Sequence, residues 1–186
     1  KTLDSEGYDL LGLMTGSEGL LGVITEVTVK ILKKPEVVKA ALIGFSSIED
    51  AGQCVSEIIA KGIIPAGMEI MDKALTKATN DYSKAGYPVD AEAMMIVELD
   101  GTETEVLELI KRVEDIAKKN KCSSIKINKS EEERLKFWAG RKAAFPACGD
   151  LAPDYMCMDG SIPRGKLAEV LKEIQRLSKK YELPVA

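Results

Sequence analysis

The order of periodic segments predicts an α+β fold, and three observations carry that expectation. Between residues 37 and 128, short β-branched runs alternate with longer 3.6-residue patterns in the order β-α-β-(α)-β-α-β. Three Ser/Thr-x-x-Glu sequences, Ser46–Glu49, Thr102–Glu105 and Ser130–Glu133, stand where helical patterns open, as capping boxes do. A charged, proline-bearing break, Lys33-Lys34-Pro35-Glu36, sets a glycine-rich first stretch apart from the rest. Apart from the inserted helix, this is the ferredoxin-like order, an antiparallel sheet with helices packed on one face. A further α-β-α after residue 128 would extend or cover that sheet.

In chain order, Gly7, Gly12, Gly16, Gly19 and Gly22 crowd the start. Val23–Ile31 is β-branched and alternating, which predicts a strand. Domain boundaries are expected at 1–36 and 37–186. Val37–Phe45 reads as a strand. The Ser46 box opens a helix with Ile48, Ala51, Val55, Ile58 and Ile59 on one face, ending near Gly62. Gly67–Met71 is a strand, Lys73–Lys84 a more polar helix, and Gly86-Tyr87-Pro88 a turn. Ala93–Leu99 is the next strand. From the Thr102 box, Val106, Leu109, Ile110, Val113 and Ile116 recur at helical spacing. Ser123–Asn128 alternates as a strand. The Ser130 box opens a helix through Trp138 toward Phe145, ended by Pro146 and Gly149. Tyr155–Ile162 is apolar on both sides of Cys157, as a buried strand would be. Pro163 starts a last helix with Leu167, Val170, Leu171, Ile174 and Leu177 inward.

Composition limits the chemistry. The 186 residues include no histidine, so this chain alone builds no Ser-His-Asp triad, no histidine metal site and no imidazole shuttle. Metal binding is not expected. A net charge of −4 with both signs interspersed leaves no basic excess for nucleic acid or anionic lipid. Cys54, Cys122, Cys148 and Cys157 form no CxxC and read as reduced thiols of a cytoplasmic protein. No apolar run approaches the roughly 20 residues of a membrane span. The chain opens on Lys-Thr-Leu-Asp and closes on Leu-Pro-Val-Ala, so it is expected to be a piece of a longer protein.

Three stretches could carry chemistry. Gly16-Ser17-Glu18-Gly19-Leu20-Leu21-Gly22-Val23-Ile24 is a glycine turn feeding a strand. Glycines at this spacing allow positive φ and close backbone approach to a phosphate or flat ring, or they simply turn the chain. The spacing is not the dinucleotide fingerprint, which also leads into a helix. Arg141, one of five arginines, lies in Phe137-Trp138-Ala139-Gly140-Arg141-Lys142. A guanidinium among small and aromatic residues calls for a bidentate anion, which could be a protein carboxylate or a ligand carboxylate. Glu69 is either a strand-end ligand or an ordinary sheet-edge carboxylate. Asp159-Gly160, after Cys157, forms a turn or lines a pocket.

Together these motifs resemble a family. Gly7-Tyr8-Asp9-Leu10-Leu11-Gly12-Leu13 followed by Gly16–Val27 is similar to the closing segment of the FAD-binding domain of the vanillyl-alcohol-oxidase type. Gly62-Ile63-Ile64-Pro65, Ala85–Glu92, Phe137–Lys142 and Pro153–Gly160 resemble the C-terminal, substrate-side domain of FAD-linked oxidases, on the side of their glycolate- and D-2-hydroxyacid-oxidising members. The resemblance spans essentially the whole chain. It implies FAD as cofactor, held in part by Glu18, Gly19, Leu20, Leu21, Gly22, Val23 and Ile24. It implies a small 2-hydroxy acid as substrate, with Arg141 clamping the carboxylate and a hydride passing from substrate C2 to FAD. Some relatives carry a lysine where this chain has Cys157, so the resemblance does not carry a second cationic contact over to that position. The catalytic base is not assigned to a residue of this chain. In relatives a His-x-Gly-Asp-Gly-Asn-x-His segment follows the position of Pro184-Val185-Ala186.

On this reading the chain is a fragment that retains little FAD, is inactive by itself, and works with partner subunits that place it at the inner membrane. Self-association through surfaces bared by truncation is a further expectation. The other reading is a stand-alone ferredoxin-like module for ligand binding or subunit contact, with residues 1–36 as an extended arm.

Overall fold

The computed structural model describes residues 7–186. The chain divides into two compact units, Lys1–Lys34 and Pro35–Ala186.

In the first unit, helix α1 (Leu10–Met14) opens where the Asp9 carboxylate accepts the Gly12 N–H at 2.8 Å. It closes into a turn in which Gly16, Glu18 and Gly19 all take positive φ. Residues 23–34 then run without regular structure. The strand expected over Val23–Ile31 is therefore absent among the described residues, although its alternation is intact. Val23, Val27, Val29 and Ile31 all stand exposed. A strand exists only where a neighbouring strand takes its ladder of N–H and C=O groups, and among the described residues none of the four strands of the sheet pairs with this segment.

The second unit is built on a four-stranded antiparallel sheet. Its strands are β1 (Val37–Phe45), β2 (Gly67–Asp72), β3 (Ala93–Gly101) and β4 (Cys122–Ile127), in the spatial order β2-β3-β1-β4. Between them run α2 (Ile48–Ala60), α3 (Lys73–Ser83) and α4 (Glu103–Lys119), followed by α5 (Glu131–Lys142), α6 (Ala144–Ala147) and α7 (Leu167–Tyr181). This is the expected ferredoxin-like order.

The caps set the helix starts. Thr102 and Ser130 accept the N–H groups of Glu105 and Glu133 at 3.4 and 3.2 Å. The first box moves by one residue: Ser47, not Ser46, accepts from Asp50, because the helix begins at buried Ile48.

Period-two alternation gives the sheet two apolar faces. Ile43, Phe45, Met95, Val97 and Leu99 point to one face, where α2 and α4 cover them with Val55, Ile58, Val106 and Val113. Leu42, Met94 and Ile96 point to the other, where they meet Met71, Tyr87, Phe137 and Ala144. The expectation of helices on one face thus holds for α2 and α4. The inserted helix α3, with α5 and α6, covers the second face.

The region after β4 departs from the expected α-β-α. Asn128 prolongs the sheet with its side chain, accepting the Ala40 N–H at 2.7 Å and donating to the Ser130 carbonyl at 2.9 Å. That junction fixes where α5 leaves the sheet. α5 stops at Lys142, because Pro146 has no N–H to give the Lys142 carbonyl, and the short α6 follows. Tyr155–Ile162 is not a strand. It is irregular and largely exposed, Cys157 included, because neither outer strand, β2 or β4, pairs with it. α7 packs on α2, where Gly52 lets the two helices close to within reach of Ala168. Leu167 and Leu171 join the core, but Ile174 and Leu177 stay partly exposed rather than turning inward.

Candidate functional site

The sheet-facing stripe of α5 is Arg134, Phe137, Trp138 and Arg141, spaced i, i+3, i+4 and i+7. Below it, on the same face of the sheet, lie Glu98 on β3 and Glu69 on β2. The register puts Gly67 opposite Glu98 and Glu69 opposite Ile96, so the two carboxylates occupy neighbouring strands. Gly67 has a positional reason: a Cβ there would stand 3.0 Å from the Trp138 ring.

The N-terminal end of the stripe is closed. Arg134 donates from Nε and Nη2 to both Glu131 oxygens at 2.7 and 2.6 Å, and from Nη1 to Glu98 at 2.6 Å. Trp138 Nε1 donates to the same Glu98 oxygen at 2.5 Å. Arg134 and Glu98 are each only 16% exposed. The Glu131 and Glu98 hydrogen bonds hold the guanidinium above its ordinary value. Phe137 is buried, with the Lys126 ammonium 5.6 Å from its ring centroid.

The C-terminal end is open. Arg141 Nε lies 3.0 Å from Glu69 Oε2, with the two side chains 40% and 36% exposed. Among the described residues this is its one ion pair. Among the described residues its terminal nitrogens make no hydrogen bond, which leaves the Nη edge with the geometry to bind an anion bidentately. The backbone beneath it is anchored by Tyr87, whose buried hydroxyl donates to the Phe137 carbonyl at 2.5 Å and meets the Arg141 N–H. Burial pushes that hydroxyl well above its usual value, so it stays protonated and donating. Gly140 is required by this contact, because a Cβ there would run into the Tyr87 hydroxyl and come within 2.7 Å of the Ala85 Cβ.

The other predicted residues lie in the first unit. Glu18 and Gly19 form the turn after α1, held by hydrogen bonds from Ser17 N to Met14 O at 3.3 Å and from Leu20 N to Ser17 O at 2.9 Å. Leu20, Leu21, Val23 and Ile24 are exposed and Gly22 is half-buried. Gly16 and Gly19 have nothing within 4 Å of where a Cβ would stand, at φ of +77° and +80°. Among the described residues, the Gly19, Leu21 and Gly22 amides make no hydrogen bond. An open backbone of this kind, with unpaired donors and room at Gly16 and Gly19, fits a flat or phosphate-bearing group such as FAD. Among the described residues, no cluster of metal-ligating side chains and no helix long and apolar enough to cross a membrane is present.

The residues that sequence reasoning left out are Tyr87, Glu98 and the pairing role of Glu69. Gly86-Tyr87-Pro88 reads only as a turn. A glutamate within the apolar run Ala93–Leu99 was a usable signal, because a carboxylate in a buried strand needs a partner.

Residues 34–186 match the family described as FAD linked oxidases, C-terminal domain, and the chain belongs to that family. It is 55% identical over 184 residues to glycolate oxidase subunit GlcD of Escherichia coli (strain K12), covering 99% of this chain and 37% of that protein. It is 35% identical over 143 residues to the mitochondrial D-lactate dehydrogenase [cytochrome] 1 of Saccharomyces cerevisiae, covering 75% of this chain and 24% of that one. Among solved structures, alkyldihydroxyacetonephosphate synthase superposes with a TM-score of 0.66 at 20% identity, over 95% of this chain and 38% of that one, which is a likeness of fold. The chain thus spans well under half the length of the curated relatives it matches.

Proposed function

We propose that this chain is the substrate-side part of an FAD-dependent 2-hydroxyacid oxidoreductase acting on a small, glycolate-like acid, with Arg141 as the carboxylate clamp. The observation that carries this reading is the open end of the α5 stripe, an arginine whose terminal donors are uncommitted beside one that is fully bonded. The names of the relatives, a glycolate oxidase subunit and a D-lactate dehydrogenase, support the substrate class.

Residues 1–36 are the closing segment of the FAD-binding domain, and residues 37–186 the substrate domain. Glu18–Ile24 would contact FAD through the unpaired amides of the glycine turn. Oxidation of the acid removes the C2 hydrogen with its bonding electrons and the hydroxyl proton to leave a 2-oxo acid, and FAD, when bound, supplies the two-electron acceptor. Arg141 binds the carboxylate and so fixes which face of C2 is presented. Tyr87 and Gly140 hold the backbone from which Arg141 reaches. The chain as it stands is inactive, retains little flavin, and depends on the rest of the protein and on partner subunits, in the cytoplasm or at the inner membrane.

Arg141→Ala in the assembled flavoenzyme tests the clamp. Binding of glycolate or D-lactate should weaken about 100-fold, the scale of a lost bidentate charged contact. Equal binding by variant and parent removes Arg141 from the site. Stoichiometric flavin absorbance in the purified 186-residue chain would refute the claim that it retains little FAD.

A further inference from the structure

We infer that Glu69 is a positioning residue for Arg141: an anion mounted on β2 that fixes the direction of the guanidinium and leaves its terminal edge for the substrate carboxylate. This inference rests on the reading of Arg141 as the clamp.

An arginine side chain on the last turn of a helix has several rotatable bonds, and ordering it costs free energy. If nothing in the protein held it, that cost would fall on ligand binding. The structure supplies one anchor. Among the described residues, Glu69 is the one carboxylate within 4 Å of Arg141, at 3.0 Å from Nε. The nearby Glu98 is already taken by Arg134 and Trp138. Glu69 sits on a hydrogen-bonded strand, opposite Ile96, so its own position is fixed by the sheet.

The contact falls on Nε. A guanidinium presents one donor edge at Nε and another between its two terminal nitrogens. Glu69 meets the Nε side as an ion pair rather than an aligned hydrogen bond, so its charge orients the group without occupying the end-on edge, where a second carboxylate can be bound in parallel. Were Glu69 a competitor for substrate, it would be expected across that terminal edge. The ends of α5 show the difference: Arg134 is gripped by carboxylates at Nε and at both terminal nitrogens and has no edge left.

The test is a double-substitution cycle in the assembled flavoenzyme, using steady-state glycolate oxidation and equilibrium binding of oxalate, which has no oxidisable C–H. Glu69→Gln keeps shape and removes charge. It should raise the glycolate KM and the oxalate Kd about tenfold, the scale of losing a group that orients a ligand-binding side chain, with kcat changed less than about twofold. In the Arg141→Ala background, Glu69→Gln should have no further effect, because Glu69 acts through Arg141. Glu69→Thr, with a good strand former on the same edge, carries the same expectation if the glutamine variant does not accumulate.

Unchanged or tighter oxalate binding by Glu69→Gln, while Arg141→Ala still weakens it, overturns the positioning role and leaves the clamp standing. An equal loss from Glu69→Gln with and without Arg141 also overturns it. No loss from Arg141→Ala removes the clamp, and with it this role for Glu69.

Discussion

Arg134 and Arg141 stand on the same face of one helix, two turns apart, and their surroundings treat them differently. Arg134 is 16% exposed, donates to two carboxylates through three nitrogens, and shares one of them with Trp138. Arg141 is 40% exposed and holds one carboxylate at Nε. The first arrangement uses the fork to fasten α5 to β3. The second fastens the side chain and leaves the fork open. Identical residue types thus differ in how fully their donors are committed: β3 and β2 offer each arginine one carboxylate, and Glu131, on α5 itself, adds the second that closes Arg134.

The largest expected effect on stability comes from breaking the closed end. Arg134→Ala leaves Glu98 and the Trp138 N–H without their third partner in a mostly buried place, and should destabilise the second unit by about 3 kcal/mol in chemical denaturation. Arg141→Ala, removing a half-exposed pair, should cost no more than about 0.5 kcal/mol. If the two substitutions cost the same, the division of roles fails.

Gly140→Ala sharpens the comparison from the backbone side. Its Cβ would collide with the Tyr87 hydroxyl, so a loss of about 2 kcal/mol is expected, and Arg141 should lose ligand affinity through displacement of the last turn. Affinity unchanged in a destabilised Gly140→Ala variant would show that Arg141 does not depend on this seat.

The smallest effect is a pH dependence confined to the first turn. Hydrogen bonds from Arg134 and Lys126 hold the Glu131 and Glu133 carboxyls below their ordinary value of 4.5. Lowered folded-state values mean the unfolded chain binds these protons first. Their stabilisation is therefore complete above pH 4.5 and lost as pH falls through the lower folded values. Stability measured against pH should fall in that window, and Glu131→Gln with Glu133→Gln should flatten the fall. An unaltered profile would mean that these caps contribute nothing at the Arg134 end.

Much of this architecture was legible in the residues. The four strands of the sheet and the helices between them follow from alternation, 3.6-residue spacing and the Thr102 and Ser130 caps. Val23–Ile31 and Tyr155–Ile162 show the limit. Both have strand composition, and neither is a strand among the described residues. Composition reports how well a side chain suits a pleated surface, whereas a strand also requires a neighbour, and no neighbour is encoded within the segment itself.

The candidate site divides in the same way. Arg141 stands out in sequence because a lone arginine among small and aromatic residues needs an anion. That its anion includes Glu69, that the contact falls on Nε, and that Tyr87 and Gly140 seat the turn were decided by the register of β2 against β3 and by the rotational phase of α5. The sequence alone settled local periodicity, the ferredoxin-like order and the need of Arg141 for a partner, because these depend on residues a few positions apart. Only the tertiary structure decided that Glu98 joins Arg134 and Trp138 while Glu69 meets Arg141 at Nε, because those partners lie on the sheet, far away along the chain.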